Sequence, residues 1–318
     1  RDDVESRGLG DVYKRQGEDN MKDTMWITIP DIYIPKTCGN IQGNEVSETY
    51  KKVYQAYQEY NKLVEDDLEL PVELEMDSDE LAARMIGKLI GKGINKEDIS
   101  FLADCRSSIT GKVPAPAYKV AVLNDLKDIT PFSIQNQAGT EVVQAIMILR
   151  EMMVEKNYTM GCVSAVQKLN KGDNRKGDNV YPLGDGAASV LISKEANQGF
   201  QILDLAVRKV KDISEERIYQ IVKDIFCQKD LDRKEPDWIV NQVADEKMNN
   251  IMKKIFPSAS ILFREKYSEI DFGCADVLIS LALLSEMDKL KNDSIGCTVF
   301  LGRTNHIGIM LLHFVKED

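Results

Sequence analysis

The chain contains much of itself twice, and this repeat constrains its fold more than any other feature. Setting residue i against residue i+135 from Glu141 to Cys162 gives eight identities in twenty-two positions without a gap. They are Val142/Val277, Leu149/Leu284, Glu151/Glu286, Met152/Met287, Lys156/Lys291, Asn157/Asn292, Gly161/Gly296 and Cys162/Cys297. An upstream helix pairs at the same offset (Ile86/Ile221, Ile90/Ile225), and after a four-residue insertion Asp98-Ile99 meets Asp237-Trp238. The hairpin strands that follow also correspond: 161–166 and 187–193 in the first copy, 296–301 and 308–315 in the second. Both repeated helices, 141–156 and 276–291, are apolar around most of their circumference, which suits burial on every side. Each then needs a sheet on one flank and its twin on the other. The expected fold is therefore α/β, with αβαβα layers built from two pseudo-twofold halves, 21–200 and 201–318.

Local signals fill in each half. Trp26 to Ile34 has strand composition with a bend or edge at Pro30. Residues 47–64 read as a helix with Tyr50, Tyr54, Tyr57 and Tyr60 on one face. Asp77, with Glu80 three residues on, is a capping box for a helix carrying Leu81, Met85, Ile86 and Leu89 inward. A strand, Asp98 to Ala103, is expected to end in a polar turn at Asp104-Cys105-Arg106, and a short helix covers Tyr118 to Leu126. Gly184-Asp185-Gly186 lacks the Lys-Ser/Thr of a phosphate loop and reads as a tight turn into a buried strand. Residues 1–20 look foreign to the remainder: Gly8 to Gln16 resembles a read-end artefact of assembled sequence, so Met21 is taken as a plausible start and the segment as non-native or disordered.

Composition narrows the function classes. A formal charge of −11 and a pI near 4.9 argue against a nucleic-acid or anionic-membrane binder, since phosphate needs a basic face. Two basic runs, Lys168 to Lys176 and Arg208 to Lys211, read by default as solvated loops, with a docking patch for an acidic partner as the alternative. The six cysteines are widely spaced with no CxxC, which is neither a disulfide framework nor a metal site. The longest apolar run, around Val277 to Leu284, is too short for a bilayer. A cytoplasmic location is expected.

The repeat also points to a site. The start of helix 141–156 is led in by Phe132 to Thr140, and a buried helix start leaves several backbone N–H groups in need of partners. At the repeat offset Ala138 faces Gly273 and Gly139 faces Cys274, so two such starts are expected to converge at the pseudo-axis. Converging helix dipoles and glycine turns would form an anion hole.

Four stretches resemble the thiolase fold and, within it, the β-ketoacyl-acyl-carrier-protein synthase III branch. They are Ser78-Asp79-Glu80-Leu81-Ala82, Gly93 to Ile99, Gly184-Asp185-Gly186-Ala187-Ala188, and Asn241-Gln242-Val243-Ala244. The resemblance spans about residues 24–318. It implies acyl-thioester chemistry of the fatty-acid or polyketide type, with an acyltransferase cysteine at the buried helix start and a histidine and an asparagine polarising the second thioester. It also implies a homodimer, or a heterodimer with a homologous synthase, and a possible acyl carrier protein. No resident cofactor, metal, nucleic acid or membrane is implied; the ligand is a CoA or phosphopantetheine thioester. All three catalytic positions depart from the pattern here: Ala138 stands for the cysteine, Asn241 for the histidine and Gly273 near the asparagine. The chain thus reads as a degenerate synthase, acting as a non-catalytic subunit or acyl-thioester binder.

The alternative is an active enzyme with relocated groups. Cys274 beside Gly273, or Cys105, would supply the sulfur, with His306 as base and Thr140 at the helix start. A cysteine near a helix amino end can have a lowered pKa. Both cysteines also fit as small buried side chains, His306 as a turn residue and His313 as a strand residue.

Overall fold

The computed structural model describes residues 24–36, 70–107, 115–136, 139–156, 158–169, 181–196, 198–209, 214–227, 235–243, 246–302 and 306–316. Residues 1–20, the tyrosine-striped stretch 47–64, Ala138 and most of the 168–179 loop lie outside them. The first half runs β1 (Met25–Ile27), β2 (Asp31–Tyr33), α1 (Ser78–Ile90), β3 (Ile99–Arg106), α2 (Pro116–Leu123), β4 (Thr130–Gln135), α3 (Glu141–Lys156), β5 (Met160–Gln167) and β6 (Gly186–Ser193). The second runs β7 (Gly199–Lys209), α4 (Glu215–Cys227), β8 (Trp238–Asn241), α5 (Glu246–Ile255), β9 (Ser260–Leu262), α6 (Asp276–Glu286), β10 (Ser294–Gly302) and β11 (His306–Val315).

Strand order is β4-β3-β5-β6-β1-β7-β11-β10-β8-β9, with β2 on β6. The order is symmetric about the β1–β7 seam. In each half a parallel core (β4-β3-β5; β9-β8-β10) turns antiparallel at the hairpin strand (β6; β11). Three apolar clusters define the layers. The largest holds α3 and α6 between side chains of both half-sheets, such as Phe101, Val163 and Val190 on one and Val240, Phe300 and Met310 on the other. The second joins α1 and α2 to the outer face of the first half-sheet, and the third joins α4 and α5 to that of the second. These are the five αβαβα layers expected from the repeat.

Helix α1 starts as its sequence requires: Asp77 accepts from the N–H groups of Asp79 and Glu80, and Glu80 accepts from that of Asp77. The turn before β6 is tied by Asp185, fully buried, which accepts from Glu73 N–H at 2.9 Å and Leu169 N–H at 3.1 Å. No helix among the described residues is long and apolar enough to cross a membrane.

Three expectations about elements change. Helix α6 ends at Glu286, short of the 291 expected from the repeat. Strand β3 continues through Asp104, Cys105 and Arg106 instead of stopping in a polar turn. Alternation sends Cys105 into the central layer and Asp104 and Arg106 to the outer face, where the two charges neutralise each other at 2.6 Å. Arg106 also reaches Asp79 at 2.6 Å, Asp79 accepts from Lys119 at 2.8 Å, and Ser164 donates to Asp104 at 2.8 Å. Burial raises the Asp79 carboxyl, but its bonds to Lys119 and Arg106 outweigh that and hold it below the usual range. Residues 199–209 form β7, so Arg208 and Lys209 end a strand and do not belong to a loop.

Two measurements follow. A Cβ on Gly296 would lie 2.1 Å from the Trp238 ring, whereas one on its repeat mate Gly161 would meet Phe101 at an ordinary 3.5 Å. Gly296→Ala should therefore lose about 1–3 kcal/mol in chemical denaturation, and Gly161→Ala distinctly less. Because the folded Asp79 carboxyl titrates below its unfolded value near ~3.9, its stabilisation is complete above that pH and fades below it. Asp79→Asn should cost about 3 kcal/mol near neutrality, with the gap to the parent narrowing as denaturation is repeated below about pH 4.

Candidate functional site

The two buried helix starts meet the strand ends of the opposite half. Ahead of α3, Gly139 has φ +130, and a Cβ there would fall 2.4 Å from the Leu301 carbonyl and 2.5 Å from Gln242 Oε1. Ahead of α6, a 3-10 turn spans Gly273–Ala275; Gly273 has φ +54, and a Cβ on it would fall 2.2 Å from Ser107 Oγ and 2.4 Å from Gln167 Oε1. Glycine is required at both points by close approach and by backbone angle. The repeat offset carries Leu301 onto Val166 and Gly139 onto Cys274, and the contacts obey it: Cys274 Sγ sits 3.5 Å from the Val166 carbonyl. Gly139 thus occupies the place whose twin holds a sulfur.

Each helix start is already capped by an acid from its own first position. Glu141 and Asp276, one repeat apart, are both fully buried. Glu141 Oε2 accepts from Gly139 N–H at 2.7 Å. Asp276 Oδ2 accepts from Phe272 N–H at 3.0 Å and its Oδ1 from Val243 N–H at 2.9 Å. Arg264 neutralises Asp276 through both nitrogens, at 2.9 and 2.7 Å. Carboxylates here complement the helix dipoles. A fixed carboxylate therefore stands at each helix start where the sequence leads one to expect room for a ligand anion, because each helix has an acid as its first residue.

Between the two starts runs a hydrogen-bonded bridge. Gln242 Oε1 accepts from Leu301 N–H at 2.9 Å, and its Nε2 donates to Asp271 Oδ1 at 3.2 Å. The same Asp271 oxygen accepts from Gly273 N–H at 2.7 Å. Val243, next in the chain, has φ +57. For a β-branched residue that backbone is strained by about 1–3 kcal/mol.

Of the family positions, Ala138 lies outside the described residues and Gly273 sits at the α6 start. Asn241 faces the other way: Trp238 and Val240 enter the central layer, so alternation turns Asn241 outward, where its Nδ2 donates to Asn249 of α5 at 2.7 Å. Gln242, one residue later, is the group that reaches the helix starts. Cys105 and Cys274 are brought together, with Cys274 Sγ 3.4 Å from the Cys105 carbonyl and Cys274 N–H donating to Ser107 at 2.7 Å. Burial pushes the Cys274 thiol far up and the Glu141 carboxylate adds to it. Burial likewise raises Cys105 well above the usual thiol range, with Cys274, Asp104 and Glu141 adding further. The lowered pKa expected of a cysteine near a helix end is reversed, because burial disfavours the thiolate and the nearby carboxylates add to it. His306 opens β11 on the other half-sheet, paired with Gly302 and Lys209. Thr140 is buried and accepts from Gln144 at 3.1 Å. His313 lies in β11 between Asp293, at 2.7 Å, and Gln201. Among the described residues no group of three His, Cys, Asp or Glu is placed to hold a metal.

Sequence reasoning did not single out Glu141, Asp276, Asp271 or Arg264, and within the stretch Asn241 to Ala244 it placed the role on Asn241 and not on Gln242 or Val243. The acids were within reach, because Glu141 and Asp276 are a conservative pair at the repeat offset. Arg264 and Asp271 belong to the segment 263–275, whose first-half counterpart is shorter, so the repeat gave no register for them.

No protein-family model matches the chain, and a search of curated proteins finds no match. Solved structures do match over nearly the whole length. OleA of Xanthomonas campestris with bound lauric acid and lauroyl-CoA superposes with a TM-score of 0.68 at 15% identity, covering 92% of this chain and 100% of that one. The 3-oxoacyl-(acyl carrier protein) synthase III of Aquifex aeolicus VF5 gives 0.68 at 16% identity, covering 91% and 100%. The corresponding synthase of Pseudomonas aeruginosa PAO1 gives 13% identity over 93% and 99%. The fold is thiolase-like, as the repeat and the motifs lead one to expect.

Proposed function

We propose that this thiolase-like chain is a synthase III-like protein of acyl-thioester metabolism that binds acyl thioesters or serves as a non-catalytic subunit, and does not condense them. The observation that carries this reading is the pair of buried acids. With Glu141 on Gly139 N–H and Asp276 on Phe272 N–H, a fixed carboxylate stands at each helix start. A negative charge developing nearby would be repelled, which is the opposite of what acyl transfer needs. An alanine, Ala138, at the nucleophile position and an outward-facing Asn241 agree with it. The relocated alternative would use Cys274 or Cys105 as nucleophile, but both are fully buried and held as thiols.

A subunit role draws support from the first sheet edge. β4 is the terminal strand, with Phe132 and Ile134 only half-buried, and α2 beside it exposes Tyr118, Val122 and Leu123. An edge strand flanked by apolar side chains favours pairing with another chain. A homodimer, a heterodimer with a homologous synthase and an acyl carrier protein are the partners this reading admits. Sedimentation of the purified protein separates the first from the others: a discrete dimer is expected if the edge pairs with itself, and a monomer that dimerises when an intact synthase is added if it does not.

The lack of transfer is tested by incubating the protein with radiolabelled lauroyl-CoA at neutral pH and analysing it by denaturing electrophoresis and peptide mass spectrometry. No covalent acyl group is expected. Label on Cys274 or Cys105 would sink the non-catalytic reading in favour of relocated chemistry.

A further inference from the structure

Gln242 and Val243, the two residues after β8, touch both helix starts at once. The Gln242 carboxamide lies against Gly139, accepts from Leu301 N–H and donates to the Asp271 carboxylate that holds Gly273. A carboxamide is a planar carbonyl with an adjacent polar atom, close in shape and acceptor geometry to the carbonyl of a thioester. Its neighbour Val243 keeps a positive φ that its branched side chain resists, held there by the bond from its N–H to Asp276. Strain of this kind stores a bias toward a second arrangement, in which Val243 takes negative φ and Gln242 withdraws from Gly139 and Leu301.

We propose that Gln242-Val243 is a strained latch, in which the carboxamide stands in for a ligand carbonyl and an acyl thioester binds by displacing it from the Leu301 N–H. This rests on the acyl-thioester reading above and adds how access to that site is controlled. The apparent affinity of the protein is then the intrinsic affinity multiplied by the fraction of molecules with the latch withdrawn. Two adjacent substitutions should move it in opposite directions. Gln242→Ala removes the internal competitor and strengthens binding. Val243→Gly removes strain only from the closed arrangement, which becomes more populated, and weakens binding. A purely structural role for this turn would weaken binding in both.

The test is calorimetric titration of lauroyl-CoA into the full chain and the two variants, with circular dichroism to check folding. Binding at least about tenfold tighter in Gln242→Ala and several-fold weaker in Val243→Gly is expected. Amide exchange at Leu301 should quicken in unliganded Gln242→Ala and slow again when lauroyl-CoA is added. Parent binding that Gln242→Ala fails to improve, or that Val243→Gly improves, overturns the latch and leaves the acyl-thioester reading standing. Absence of binding in all three proteins overturns both. Since the substitutions act by separate routes, loss of fold in one leaves the other as the test.

Discussion

Everything in this fold depends on placing two apolar helices back to back between two sheets, and on the electrostatics of their amino ends once water is excluded. A buried helix start must find acceptors for its free N–H groups, and a buried carboxylate must find donors or a cation. Glu141 and Asp276 place an acceptor at each end, where they take the Gly139 and Phe272 N–H groups just upstream of the helices. Arg264 and the Val243 N–H answer the second for Asp276. The result is a centre in which Asp276 is paired with a cation and Glu141 is held by a backbone donor. The two cysteines buried there, Cys105 and Cys274, have their thiols pushed up by burial and by these carboxylates.

The pseudo-twofold is obeyed by the backbone and broken by side chains where the halves touch. Strand ends of the second half press on α3, and those of the first half press on α6. One crossing has a sulfur against the Val166 carbonyl, and its mate has a glycine against the Leu301 carbonyl. Similarly, Gly296 clears room for Trp238, while its twin Gly161 faces Phe101 and Leu149 at normal distance. Repetition explains the architecture; the departures from it say where the two copies took on different jobs.

The layers, the hairpins and the convergence of the helix starts were legible in the sequence because helical and strand periods are strong signals and the repeat multiplies them. The end of β3 was misjudged because Asp104, Cys105 and Arg106 look like a turn until Asp79, far away in sequence, supplies the countercharge. The site was less legible for a similar reason. A resemblance places Asn241 at a functional position, but a one-residue step along a strand reverses which face a side chain joins, and only packing decides that Gln242 is the inward group. No sequence period reports a positive φ at Val243.

The seam between the halves is thin. The three residues of β1 pair with β6 on one side and with β7 on the other, through Trp26 opposite Ser193 and Gln201. They are the only described strand that closes both half-sheets at once. Beyond them the two repeats meet through the apolar central helices and through short links such as the Leu183–Asp271 bridge and the bond from Cys274 N–H to Ser107, whereas a strand ladder fixes register along its length. The three-residue strand therefore acts as a ruler: it sets how far one repeat lies along the other, and with it the alignment of the two helix starts some distance away.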